Sequence, residues 1–293
     1  MDFNEFVGIV VELIPEYLLQ YDVDDIRVEK VHKNNGIVCT GMAICLKGET
    51  ISPNIYLEYY YNLYSEGKNI DDILGLIRDE YNQAKDRIDK EGYVDMTKED
   101  LKDCVFLKIV NYERNKIVLE ECPYISFQDL AITYRYLVKK DSDGIASAII
   151  KNSDLKRWNI KAEDLYEIAL ENTKKFFPPV LKPLNIMLRE LMGDINLSDD
   201  AELNVLTNTQ GINGATNIIF DDILYNFAKK YDSDIYILPS SIHEVLLLPV
   251  SEKAKHKDLI EMVKEINQYV VGEMDYLSDN VYIYSLKEKC IKA

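Results

Sequence analysis

A chain of 293 residues, 47% of them hydrophobic, can bury one large core or two modest ones, so it needs neither a disulfide framework nor a structural metal to fold. Its 51 acidic side chains against 34 basic ones give a net charge of −17, a field that repels phosphate backbones and anionic lipid and argues against nucleic acid and membrane as partners. Cys39, Cys45, Cys104, Cys122 and Cys290 form no CxxC pair, which fits a reducing cytoplasm, and no stretch approaches the roughly 18 apolar residues of a membrane span.

The opening MDFNEFVGIVVELIPEYLLQ is broken by Asp2, Glu5, Glu12 and Glu16 and lacks a basic leader region, so it reads as a helix of the mature protein over about Asn4 to Gln20. Phe6, Ile9, Val10, Leu13 and Tyr17 give it one buried face. Next, IRVEKVHKNNGIVCTGMAICL alternates on both sides of Asn34-Asn35-Gly36, whose residue types tolerate positive φ, and predicts a hairpin over 25–47. Helices are expected over 54–66 and 70–90, and two shorter ones over 99–121, with Pro123 as the exit.

Beyond Pro123 strands dominate. DLAITYRYLV and IASAII flank a DSDG turn as a second hairpin, and AEDLYEIALENTKKFF is a helix stopped by Pro178 and Pro179. Then ELNVLT reads as a strand, 215–230 as mainly helix, DIYIL and HEVLLL as strands, 255–271 as a helix, and NVYIYS as the last strand. The fold class is therefore α+β. A helical lobe with a hairpin is expected over 1–122, and over 123–293 a mixed or antiparallel sheet covered by helices, in the order β-β-α-β-α-β-β-α-β. Lysines and arginines gather between Lys151 and Arg189, but Glu163, Asp164, Glu167 and Glu171 are interleaved with them, which describes a solvated helix face.

The most site-like string is Pro239-Ser240-Ser241-Ile242-His243-Glu244, because it sets two hydroxyls, an imidazole and a carboxylate at a strand-turn-strand junction. Ser240, Ser241, His243 and Glu244 are the catalytic candidates. On a strand His243 and Glu244 point to opposite faces, so Ser241 is the hydroxyl expected to share the side of His243. The preferred alternative is a hairpin whose serines cap backbone donors and whose histidine packs. His-Glu also opens the zincin pattern, but the residue one helical turn on is Leu247, and His32 and His256 are the remaining histidines, so no metal site is expected. The glycines of GINGATNIIF match no phosphate loop, and no cofactor is expected.

Tyrosine is abundant, 21 against 8 phenylalanines, and Tyr56, Tyr59, Tyr60, Tyr61 and Tyr64 are strung round one predicted helix. They cannot all face one core, so packing between lobes, or an interface, is expected to cover some of them.

Several strings together carry a resemblance. They are Lys33-Asn34-Asn35-Gly36, Pro53 with Ile55-Tyr56-Leu57-Glu58, Asn111-Tyr112 with Asn115, Asp129-Leu130-Ala131, and Asn152 with Trp158. Further along are Asn172-Thr173, Leu206-Thr207-Asn208, Gly214-Ala215, Leu238 to Glu244, Asn267, and Leu277-Ser278-Asp279 with Val281-Tyr282. Along its whole length the chain resembles a bacterial domain-of-unknown-function family, common in anaerobic Gram-positive gut bacteria. The resemblance implies family membership and no activity. It departs at Asp154, where the family pattern often has a histidine, and that removes a second imidazole from any site built on His243.

The leading expectation is a cytosolic, cofactor-free protein that acts by binding, either a protein partner or a small ligand in a groove between lobes. Tyr56, Tyr60, Asn208, Ser241 and His243 are the binding candidates. The alternative is a hydrolase-like enzyme using Ser241 or Ser240 with His243, which requires a hydroxyl within about 3.2 Å of a ring nitrogen.

Overall fold

A computed structural model describes residues 1–49, 52–91, 98–141, 144–192, 203–251 and 254–292. Contacts divide the chain into one unit of Met1–Lys33 with Ile37–Asp95 and another of Asn34–Gly36 with Met96–Ala293.

In the first unit, α1 (Phe3–Tyr17) starts at a capping box: Asp2 accepts from the Glu5 amide, and Glu5 accepts from the Asp2 amide, both at 2.9 Å. Its buried stripe is Phe6, Val10 and Ile14. The expected hairpin is present as β1 (Val23–His32) and β2 (Val38–Leu46), paired from Val23↔Leu46 to His32↔Val38. Lys33 donates its amide to the Ile37 carbonyl at 2.7 Å, and Asn35 (φ 59°) with Gly36 (φ 73°) turns the chain through left-handed backbone. Residues 54–56, expected as helix, instead form β3 (Asn54–Tyr56) against β2, and the helix α2 (Leu57–Ser65) begins after it. With α3 (Ile70–Glu91) these elements enclose Phe6, Val10, Met42, Ile44, Leu57, Ile77 and Tyr81. Each such side chain contributes roughly 1.5–3 kcal/mol by leaving water.

The second unit opens with α4 (Lys98–Cys104) and β4 (Val105–Asn111), followed by α5 (Lys116–Leu119), β5 (Tyr124–Phe127), β6 (Leu130–Asp141) and β7 (Gly144–Ile149). The strand β4 replaces a predicted helical stretch. VFLKIVN is buried on both faces, so it presents an unbroken apolar run in which the period of two is hidden. The second unit takes in α4 and β4. The cause is that β4 pairs with β6 from Val105↔Tyr136 to Asn111↔Leu130, and Leu101, Val105, Leu107 and Ile109 join the core of Leu130 and Ile132. On the other side of β6 lie β5 and β7.

The chain continues through α6 (Asn152–Trp158), α7 (Ala162–Phe176), β8 (Pro179–Pro183), α8 (Leu184–Met192), β9 (Asn204–Asn208) and α9 (Asp221–Tyr231). It ends with β10 (Ile235–Ser241), β11 (Glu244–Pro249), α10 (His256–Tyr269), β12 (Tyr282–Ser285) and β13 (Cys290–Lys292). Of the two prolines that follow α7, Pro179 begins the edge strand β8, where the missing donor is tolerated. The last strand is β13 rather than β12, and β13-β12-β10-β11-β9-β8 form one sheet. Every recorded strand pairing is antiparallel, which resolves the mixed-or-antiparallel expectation. The fold is α+β.

Two threonines cover the free edge of β4. Thr173 of α7 accepts from the Leu107 amide at 2.8 Å, and Thr216, in the turn Gly214–Ile219, accepts from the Ile109 amide at 3.1 Å. Both hydroxyls satisfy donors that an edge strand otherwise leaves open. Asp154 does local work, accepting from the Lys151 amide at 2.9 Å to start α6. Among the described residues no helix is long and apolar enough to cross a membrane.

Candidate functional site

Between α10 and β12 the chain runs through a strap, Glu273–Ser278, in which every carbonyl accepts a hydrogen bond. Asn35 donates its side-chain amide to Glu273 O at 2.9 Å and Tyr276 O at 2.7 Å, and Asn34 donates to Met274 O at 2.6 Å. The Ile242 amide reaches Asp275 O at 2.8 Å. Asn111 donates to Leu277 O and Asn267 to Ser278 O, each at 2.9 Å. Asparagine suits this task because its short amide offers donors in a fixed plane and replaces a missing strand partner. Below the strap Asp129 accepts from Ser278 Oγ at 2.7 Å and from Tyr282 OH at 2.5 Å. Burial first, and then that bond, raise the Tyr282 phenol well above its ordinary value.

The strap presents Asp275 on one side and Tyr276 on another. Asp275 meets His243, whose position is fixed by a tight hairpin: Ser241 pairs with Glu244, and Ile242 and His243 turn the corner. The joint is closely packed. Ile242 is 5% exposed and belongs to the main core, its carbonyl accepts from the Ala215 amide at 3.2 Å, and Thr207 Oγ1 donates to the His243 carbonyl at 2.9 Å. Gly214 packs so closely here that a Cβ would stand 2.4 Å from the His243 carbonyl oxygen. Pairing also persists at Pro239, which lies opposite Val245, with a bulge before Ser241.

Within this hairpin the imidazole is fully engaged. Nδ1 accepts from the Asn213 amide at 3.2 Å, and Nε2 faces Asp275 Oδ1 at 3.2 Å, so the proton sits on Nε2 and points to the carboxylate. Neither serine hydroxyl bonds the ring: Ser241 Oγ accepts from the His243 amide at 3.0 Å, and Ser240 Oγ reaches Glu244 Oε1 at 3.4 Å. The geometry therefore lacks the hydroxyl-to-base bond that a nucleophilic serine requires.

The other sequence candidates are engaged locally. Asn208 accepts from the Gln210 amide at 2.9 Å and donates to Ile212 O at 2.7 Å, closing its own turn. Tyr60 is buried, with its hydroxyl on Glu80, and Tyr56 lies 3.7 Å beneath the Lys33 ammonium. Tyr61 and Tyr64 pack with Phe6 against the core of their own unit, while Tyr59 is 61% exposed.

Three residues that the sequence reading passed over are prominent. Arg114 stacks its guanidinium 3.5 Å over the Tyr276 ring, and among the described residues none of its guanidinium N–H groups is hydrogen-bonded. It lines a polar cavity of about 470 Å³ with Lys264, Asn267, Gln268, Tyr276 and Asp279. Lys108 of β4 is the third. Burial, and then the charge of Arg135, push its ammonium down to about 7, while Asp275 acts in the opposite direction. Its neighbours in sequence are apolar, and that run conceals it. Among the described residues no group of histidine, cysteine, aspartate and glutamate is arranged to hold a metal ion.

Several of the strings that carried the resemblance, among them Asn34-Asn35, Asn111 with Asn115, Asp129, Thr207, Gly214-Ala215 and Asn267, meet around the strap or the hairpin. The family model of DUF5688, described as a family of unknown function, matches residues 3–286. The chain belongs to that family. No curated protein and no solved structure matches it.

Proposed function

We propose that this DUF5688 member is a bacterial cytoplasmic protein that acts by binding a small polar ligand rather than by catalysis. One observation carries the reading: a guanidinium stacked on the Tyr276 ring, its donors unengaged among the described residues, at the wall of a cavity of about 470 Å³. Stacking fixes the plane of an arginine and leaves its edge for a carboxylate or phosphate. Lys264 adds a second cation, and Glu273 and Asp279 on the same wall offer acceptors for an amine or hydroxyl on the same molecule. The free state of all five cysteines supports a reducing compartment.

A thermal-shift screen of amino acids, dicarboxylates and sugar phosphates tests this. A ligand of the proposed kind raises the melting temperature of the native protein and has little effect on Arg114→Gln. The reading fails if every compound that stabilises the native chain stabilises Arg114→Gln equally.

A further inference from the structure

A second anomaly, independent of the Arg114 cavity, lies on β4 and β6. Charged side chains withdrawn from bulk water are normally paired, and Lys85 of α3 follows the rule. Its side chain is 5% exposed, its ammonium bonds Asp89 and, at 3.1 Å, Glu49, and those bonds raise its pKa against the effect of burial. Lys108 does not. Across the strand pair it faces Thr133, and Arg135 is the next residue of that same face.

Arg135 donates Nε to Ser147 Oγ at 3.0 Å and Nη2 to Ser147 O at 2.8 Å, and it reaches no carboxylate among the described residues. Asp275, whose charge acts on Lys108, makes no ion pair with it and directs Oδ1 to His243. Both cations keep partial access to solvent, yet burial is the largest influence on each and lowers both. Neither side chain is sealed in a core. Two such cations on one face of the strand pair, in a chain of net charge −17, hydrogen-bond no carboxylate among the described residues.

We propose that Lys108 and Arg135 form the floor of an oxyanion site that takes a small carboxylate or inorganic phosphate. The ligand supplies the missing counter-ion, with the Lys108 ammonium as a point charge and the unengaged edge of Arg135 as a directional donor.

Melting curves and calorimetric titrations at pH 7 test it, with sodium phosphate and sodium acetate compared against sodium chloride at equal ionic strength. Native protein and Arg114→Gln are expected to be stabilised by phosphate, acetate or both, and whichever anion acts identifies the ligand class. Lys108→Met keeps the length of the stem and removes the desolvated charge, so it is expected to fold and to bind that anion at least tenfold more weakly. Arg135→Gln serves the same purpose should Lys108→Met not fold. The proposal is overturned if the anions stabilise native and Lys108→Met protein equally, or if neither anion stabilises the native protein beyond chloride.

Discussion

Asn35 and Asn115 hydrogen-bond each other twice: the Asn35 amide donates to Asn115 Oδ1 at 2.9 Å, and Asn115 Nδ2 donates to Asn35 Oδ1 at 3.0 Å. Asn115 is 5% exposed and also donates to Asn111 O at 2.8 Å, while Asn111 holds Leu277 O. A continuous amide chain therefore links the tip Asn34–Gly36 to the strap.

Asn35→Ala breaks that chain at its first link. It removes the donor to Glu273 O and Tyr276 O and leaves the Asn115 amide short of a partner. Each polar group stranded in this way costs about 1–3 kcal/mol, so a loss of at least ~2 kcal/mol is expected. Urea denaturation measures it. An unchanged midpoint would mean that water replaces the amide without penalty.

The glycines of the two units are expected to respond in opposite directions. Gly214→Ala would place a Cβ 2.4 Å from the His243 carbonyl and 2.5 Å from Thr207 Oγ1, and both are backbone or tethered atoms that cannot swing away. Destabilisation of about 1–3 kcal/mol follows. Gly8, inside α1 and exposed, has nothing within 4 Å of a Cβ, so Gly8→Ala is expected to stabilise by ~0.5–1 kcal/mol. Paired melts decide both, and a stable Gly214→Ala protein would contradict the close packing of the hairpin.

How far the sequence was legible depended on whether a signal was local. Asn34-Asn35-Gly36 announces its turn, because positive φ at Asn35 and Gly36 is a property of those residues alone. The α1 stripe is equally local. The run VFLKIVN was not legible as a strand, since burial on both faces erases alternation, and that error hid Lys108 as well. In the PSSIHE string the polarity was real, but its partners, Thr207, Asn213 and Asp275, lie far away in sequence. Arg114 and Tyr276 carry no motif, and their contact exists only once the strap is in place.

Thr173 and Thr216 give a test of how the edge of β4 is closed. Thr173→Val keeps the shape and removes the acceptor for the buried Leu107 amide, and Thr216→Val does the same for Ile109. Each is expected to cost about 1–3 kcal/mol, with Thr173→Ser largely restoring the loss. Amide hydrogen exchange adds a local readout, because Leu107 and Ile109 are expected to exchange faster in the respective valine variants. Exchange as slow as in the native chain would show that the edge amides have another acceptor.

The buried tyrosines predict an alkaline transition. Tyr60 and Tyr81 are raised chiefly by burial, Tyr134 is pushed up to about 12 by burial, and Tyr282 and Tyr284 are raised by burial and then by bonds to Asp129 and Asp221. A phenol whose folded value lies above its unfolded value of 10 binds its proton more tightly in the fold. Its stabilising contribution is therefore complete below pH 10 and declines as the pH climbs toward the folded value. Each such group steepens the loss of stability by roughly 1.4 kcal/mol per pH unit within that window. A tyrosinate absorbance titration is expected to show only part of the 21 tyrosines ionising near pH 10, and the rest ionising together with the loss of circular dichroism. Tyr282→Phe removes one such proton and is expected to make the alkaline decline shallower, although the lost bond to Asp129 lowers stability at neutral pH. If all the tyrosines ionise near pH 10 with the circular dichroism intact, these rings are not sealed in the cores, and the packing around Asp129 and Asp221 is wrong.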